Sequence, residues 1–299
     1  MKTFSPNIFI IGVAKCGTTT LHNHLDSFSE VCMSNPKEPF FFECEYEKGL
    51  DYYQKTYFSH WNQEQLIGES RHRNMYLPYI PQRILETNPQ AKLIAILREP
   101  ASRAYSHWWH LYSRGLEKLS FKKAIEEDLK RIEAGKRFHN QEEVDAYCAC
   151  PDNVQFYRTY VDSGYYYEQL MRYYQIFENE QIKVLFLEDL KHNPAAVLNE
   201  LRLFIGLPAL QREEIELKND NTKKLVEVPS LLSTLGKFTG LKYILPNSWR
   251  LAIAQRVRKK LTANQQADPH TIAMLKKHFQ AHNQKLSTLL NKDLSHWND

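Results

Sequence analysis

Asn7-Ile-Phe-Ile-Ile-Gly-Val-Ala-Lys-Cys-Gly-Thr-Thr-Thr-Leu21 is the stretch that decides the fold. Ile8 to Ile11 form a short apolar run rich in β-branched residues, which predicts a buried strand. Gly12 and Gly17 bracket four residues, and Leu21, Leu25 and Phe28 then recur at i, i+4 and i+7, the spacing of one helix face. Strand, glycine turn and helix in that order aim free backbone N–H groups and a helix N-terminus at one spot. Such a spot is a ready site for a phosphate or sulfate. The plainer reading is a glycine turn that only packs the helix on the sheet.

The spacing is close to a nucleotide-binding Walker loop, G-x-x-x-x-G-K-[ST], but Thr18 stands where the lysine belongs. The lysine has moved inside the loop, to Lys15, where its ammonium approaches the end of a shorter anion. G-x-x-K-x-G-T-T after a strand resembles the 5′-phosphosulfate loop of sulfotransferases that use 3′-phosphoadenosine 5′-phosphosulfate (PAPS). The resemblance implies that Lys15, Cys16, Gly17, Thr18, Thr19 and Thr20 hold the phosphosulfate, and that Lys15 also stabilises charge as the S–O bond breaks.

A second segment bears on the same reading: Ala91-Lys-Leu-Ile-Ala-Ile-Leu-Arg-Glu-Pro-Ala-Ser-Arg-Ala-Tyr-Ser-His-Trp-Trp-His110. Leu93 to Leu97 are continuously apolar, as in a parallel strand buried on both faces. Arg98 falls at its carboxyl end, where open α/β sheets place ligands, and Pro100 suits the first turn of a helix. Ser106 and His110 lie four apart on one face of that helix. A guanidinium and a hydroxyl so placed can grip a phosphate, although a strand-end salt bridge and ordinary helix residues would look the same. The segment resembles the family's 3′-phosphate motif, R-[DE]-P-x-x-R-x-x-S, which carries over as Arg98 and Ser106. His110 matches a histidine near the acceptor in some heparan-type members. A Walker enzyme would end this strand in aspartate, to hold magnesium; the rival reading, an ATP- or GTP-dependent kinase-like phosphotransferase, lacks that residue here.

Between these segments, Glu30 to Ser34 predict a short strand. Asn35-Pro-Lys-Glu-Pro-Phe-Phe-Phe-Glu43 follows, with two prolines that bar regular helix and three phenylalanines expected to bury its downstream end. Burial beside these rings predicts a raised carboxyl pKa for Glu38; a surface Lys37–Glu38 pair is the alternative. This K-E-x-x-F-F element is similar to that of heparan-sulfate-type sulfotransferases, which implies that Glu38 is the base that deprotonates the acceptor. Lys48 to Trp61 read as an aromatic helix, and Leu66 to Ser70 as a strand. After it, Arg71-His-Arg-Asn-Met-Tyr76 replaces the family's Thr/Ser-Pro-x-Tyr. Arg71 and Arg73 either serve an anionic acceptor or are solvated.

Residues 111 to about 163 read as an insertion, with a charged helix over Phe121–Glu133, a mostly solvated face, and acceptor specificity by resemblance. A helix from about Asp162, a strand at Gln181–Leu187 and a helix from Asn193-Pro194 to Gly206 complete the core, about residues 7–207. The tail from about 218 predicts helices, the last running from an Asp268 N-cap to Leu290. Within it Lys223 and Lys224 are candidates to close the nucleotide site, and Arg256–Lys260 is a solvated face or an anion contact. The closing Asp293–Trp297 looks like the end common in bacterial members.

A net charge of +4 on 299 residues gives no support to a nucleic-acid or membrane partner. No apolar run is long enough to span a bilayer, no signal peptide precedes the first strand, and five scattered cysteines read as reduced thiols, so the expected location is cytoplasmic. Cys148 and Cys150 with His139 lack a second ligand pair, and no metal is expected. The resemblance thus implies one domain over residues 1–299, an α/β three-layer sandwich with a central parallel sheet (P-loop nucleoside triphosphate hydrolase-like) and a helical C-terminal tail. It implies a PAPS-dependent sulfotransferase acting on an acceptor hydroxyl, less readily an amine, of a glycan, lipid or small molecule, with carbohydrate favoured.

Overall fold

The computed structural model describes residues 3–135, 143, 158–209 and 268–299. Its centre is a parallel sheet of five strands in the order β2-β3-β1-β4-β5. The strands are β1 (Ile8–Gly12), β2 (Val31–Met33), β3 (Leu66–Ser70), β4 (Lys92–Leu97) and β5 (Ile182–Phe186). Ile8 is level with Gly68 of β3 on one side and Lys92 of β4 on the other, and Leu93 is level with Ile182. Ile8, Phe9, Ile10 and Ile11 alternate between the two sheet faces, yet all four are buried, so both faces are covered. Each such side chain contributes about 1.5–3 kcal/mol of burial.

The connecting helices are α1 (Thr18–Asp26), α2 (Gly49–Tyr57), α3 (Ile80–Thr87), α4 (Pro100–Tyr112), α5 (Phe121–Glu133), α6 (Tyr166–Tyr174), α7 (Leu187–His192), α8 (Pro194–Phe204) and α9 (Pro269–Leu290). Because every strand runs the same way, the five carboxyl ends share one rim. The segments after β1, β2, β3 and β4 therefore meet there, although they are up to ninety residues apart in sequence.

Among the described residues two apolar clusters form the core. The larger surrounds the sheet; the second joins α4, α5, Tyr160, Val161 and Tyr165 to Leu275 and Phe279 of α9. The same helix enters the larger cluster through Leu286, so α9 fastens both. Asp268 caps it, accepting from the N–H groups of His270 and Thr271, as the sequence predicts.

Helix α5 buries the apolar face that its spacing predicts, but not all of its charges are solvated. Phe121, Ala124, Ile125 and Ile132 are buried, and so is Asp128, which accepts from Arg131 and from the Val161 N–H at 2.7 Å. Glu117 is also buried, against Arg158 at 2.7 Å. These acids face inward because each finds a guanidinium or an amide there. Phe40 departs from prediction in the other direction. Phe41 and Phe42 are buried, but Phe40 lies at the surface with the Arg71 guanidinium over its ring.

The cysteines need a correction. Cys16 and Cys32 are free and buried, but the exposed Cys44 is disulfide-bonded, which a set of reduced thiols does not allow. His139, Cys148, Cys150, Lys223, Lys224 and Arg256–Lys260 lie outside the described residues. Among the described residues no helix is long and apolar enough to cross a membrane.

Candidate active site at the carboxyl rim of the sheet

The loop after β1 is shaped by close contacts. A Cβ on Gly12 would lie 2.8 Å from Cβ of Met75, so only glycine lets the chain pass there. Gly17, the N-cap of α1, has φ 102°, and a Cβ on it would come within 3.0 Å of Leu187 and 3.3 Å of Ile96. Lys15 also has positive φ, 72°. The first turn of α1 carries no acidic residue and no side-chain cap. The amides of Gly17 to Thr20 donate to no acceptor among the described residues. Thr18 is buried, while Thr19 and Thr20 are exposed. The loop thus presents uncommitted N–H groups at the positive end of a helix, as a bound phosphosulfate requires.

The β4 segment joins this loop directly. Arg98 donates from Nη1 to the Lys15 carbonyl at 3.4 Å, and Tyr166 fixes the Arg98 carbonyl at 2.9 Å. Glu99 turns back to accept from the N–H groups of Ala101 and Ser102, starting α4 immediately after the strand. Helix α4 then brings His110 Nδ1 to 3.3 Å from Lys15 Nζ. Burial, and next the Lys15 charge, push the His110 pKa down to about 4, so the ring is neutral and can accept from the ammonium. Ser106, one turn earlier on α4, is half-buried and makes no side-chain hydrogen bond among the described residues. Lys15, Arg98 and His110 therefore converge, from the β1 loop and the two ends of the β4–α4 segment.

Across the rim, β2 and β3 supply a second group. Glu38 has φ 70° and donates its N–H to the Ser70 carbonyl at 3.1 Å, which binds the β2 loop to the end of β3. Its Oε1 meets Lys37 Nζ; its Oε2 meets His72 Nδ1 at 2.7 Å, the His72 N–H at 3.0 Å and Arg71 Nη1 at 3.7 Å. Arg71 is itself held in two-point contact by the buried Glu43, at 2.6 and 2.8 Å.

This arrangement reverses the pKa predicted for Glu38. Burial alone pushes the carboxyl up, but His72, then Lys37 and Arg71, together hold it well below the usual carboxylate range. Arg71 and Arg73 are buried, which rules out the solvated reading of both. His72, by contrast, is pushed down by burial against an upward pull from Glu38.

The sequence reading misses His72, Glu43, Arg103 and Glu69. Arg103 is wholly buried on α4; its Nη2 donates to the Tyr160 carbonyl, while Nε and Nη1 find no partner among the described residues. Glu69 is buried at the end of β3, where it accepts from Tyr53 and, at 2.5 Å, from Asn74. Burial pushes its pKa up to about 7. The available signal was Arg71-His-Arg73 itself: three basic residues at the end of a buried strand, on the rim that already carried Lys15 and Glu38. Among the described residues no group of three or more His, Cys, Asp or Glu gathers as a metal site.

Residues 5–263 match the sulfotransferase domain. The chain is 25% identical over 277 residues to membrane-associated sulfotransferase kil1 of Dictyostelium discoideum, covering 72% of this chain and 59% of that protein. It is 26% identical over 303 residues to bifunctional heparan sulfate N-deacetylase/N-sulfotransferase 1 of Mus musculus, covering 96% of this chain and 30% of that one. It thus spans only part of the length of either relative. A crystal structure of a sulfotransferase from Alicyclobacillus acidocaldarius superposes with a TM-score of 0.68 at 22% identity, over 99% of this chain and 100% of that one, and so has the same fold. The chain belongs to the sulfotransferase domain family.

Proposed function

We propose that this chain, as a single domain, transfers a sulfuryl group from PAPS to an acceptor hydroxyl, with an amine as the second choice. The observation that carries the proposal is the contact between the two motifs: Lys15 in a glycine loop whose Gly17 to Thr20 amides donate to no acceptor among the described residues, with Arg98 bonded to the Lys15 carbonyl. PAPS, when bound, supplies the activated sulfuryl group. The amides of Lys15 to Thr19 and the Thr18 and Thr19 hydroxyls would hold its phosphosulfate end. Arg98 and Ser106 would hold its 3′-phosphate, with Lys223 or Lys224 closing over the nucleotide.

The Lys15 ammonium would face the negative charge that grows on the oxygen leaving sulfur, a preorganised electrostatic role. His110, neutral beside it, gives that ammonium an acceptor and so a fixed direction. The ionised Glu38 and its ring of cations form the side toward which the acceptor proton leaves. The scheme requires no metal.

Similarity to proteins named as heparan sulfate N-sulfotransferases supports carbohydrate as the acceptor class and keeps the amine in play. For a cytoplasmic location, the Cys44 disulfide removes one of its supports, the reduced thiols.

The test is transfer of labelled sulfate from PAPS across a panel of glycan, lipid and phenol acceptors. Sulfated product is expected; phosphate transfer from labelled ATP with no sulfate transfer from PAPS would overturn the proposal. Glu38→Gln should abolish turnover while calorimetry still finds 3′-phosphoadenosine 5′-phosphate (PAP) binding nearly unchanged.

A further inference from the structure

We infer that the free edge of β5 is a docking surface for a second copy of this chain, paired antiparallel so that two sheets become one. Such a dimer does not depend on which group the chain transfers.

The sheet has two edges, and among the described residues the chain closes only one of them. At β2 the Met33 carbonyl accepts from His60 Nε2 at 3.0 Å, and the Asn35 N–H just beyond it donates to the Tyr57 carbonyl at 2.8 Å. That strand is also only three residues long, which limits pairing with another chain. β5 has five residues and spans about 16 Å. Its middle residues, Lys183, Val184 and Leu185, bond through the backbone to β4 and to nothing else among the described residues. Alternate residues of an edge strand turn N–H and C=O away from its one neighbour, so part of this ladder faces outward without partners.

The open edge runs along a groove of about 590 Å³. Half-buried Met171 and Tyr174 of α6, Val184, and Leu289 and Leu290 of α9 line it. An added strand would therefore gain apolar packing as well as hydrogen bonds. Lysine on an edge commonly guards it against pairing, but Lys183 is already neutralised by Glu200 of α8.

The charges choose the occupant. Lys183, with Glu200, stands near the start of β5; Asp189 stands three positions past its end and meets Lys292 at 2.7 Å. All four line the groove. A two-fold axis normal to the sheet, passing near Val184, lays the start of one β5 beside the end of the other. Lys183 then approaches Asp189 of the second copy, Glu200 approaches Lys292 of the second copy, and the axis repeats both contacts. Parallel pairing would instead set Lys183 level with Lys183 of the second copy. Exposed ion pairs add little affinity, so backbone and apolar contacts carry this dimer while the charges set its direction.

The test is sedimentation velocity over about 0.1–100 µM protein, with hydrogen exchange of the β5 amides at both ends of that range. A dimer is expected, with the outward amides of β5 gaining protection as concentration rises. Exchanging one pair, Lys183→Glu with Glu200→Lys, keeps an ion pair inside each chain but sets like charges across the axis. It should weaken the dimer by about tenfold. Exchanging the other pair as well, Asp189→Lys with Lys292→Asp, should bring affinity back to within about threefold of wild type. A wild type that stays monomeric at the highest concentration overturns the proposal, as does a dimer that one exchanged pair leaves unchanged or that the second exchange fails to restore. Protection of these amides in the dilute monomer also overturns it, because another part of the chain would then cover the edge. Should the exchanged chains fail to fold, the concentration dependence of β5 exchange in the wild type decides.

Discussion

The two halves of the carboxyl rim are built from different materials. On the β1–β4 side the site is mostly backbone: the loop from Gly12 to Gly17, the first turn of α1, and the Lys15 carbonyl that receives Arg98. On the β2–β3 side it is mostly side chain: Glu38 among Lys37, Arg71 and His72, and Arg71 on Glu43. A backbone cradle is specified by where glycine is required, and tolerates change in the side chains around it. An ionic cluster is specified by partners from several loops, and each depends on the others. The first kind of half is suited to a ligand that is always the same, the second to one that varies between proteins.

The comparison can be broken from either side. The largest effect is expected on the backbone half, where Lys15 is the one side chain asked to do chemistry. Lys15→Met should lower sulfate transfer by about 10³-fold while PAP affinity changes little; an equal loss in both would make Lys15 a binding residue only. On the side-chain half, Glu43→Ala strands Arg71 in a buried position. It should destabilise the fold by about 3–5 kcal/mol in urea unfolding, and a cost below about 1 kcal/mol would mean that the cluster is not interdependent.

Glu69, beneath that half, sharpens the contrast through pH. Its folded-state pKa of about 7 lies above the ordinary 4.5, so the native chain holds an extra proton between those values. Its contribution to stability is then present at low pH and lost as pH rises through about 7, to an extent on the order of 3 kcal/mol. Glu69→Gln should remove that dependence. The unfolding free energy of the variant relative to wild type should therefore rise from pH 4.5 to pH 8; no change across the range would discard the assignment. The smallest effect returns to the backbone half: Arg98→Ala should weaken PAP about 10- to 100-fold, with turnover at saturating donor nearly kept.

The same contrast explains what the sequence made legible. Gly12, Lys15, Gly17 and Arg98 are local signals, because a turn that needs positive φ and an arginine at a strand end can be read within twenty residues. The strand at Leu93–Leu97 and the Asp268 cap are legible for the same reason. The Glu38 pKa was read with the wrong sign because the sequence shows its adjacent phenylalanines, while His72 and Arg71 arrive from β3, more than thirty positions later. Asp128 looked solvated because a 3.6-residue pattern cannot reveal that Arg131 and the Val161 amide wait on the inner side.

Helix α9 carries a consequence for how the molecule is made. Leu275 and Phe279 complete the second apolar cluster, Leu286 and Trp297 the first, and Tyr165 bonds His278 across 113 positions. On the ribosome, all five strands are complete about ninety residues before Leu275, the first of these α9 side chains, is added. The sheet must therefore wait, with the α4–α5 cluster still open to water, for contacts whose loop-closure cost is paid late. Such a chain spends part of its synthesis with apolar surface exposed, so its yield in a cell depends on what shields that surface until α9 arrives.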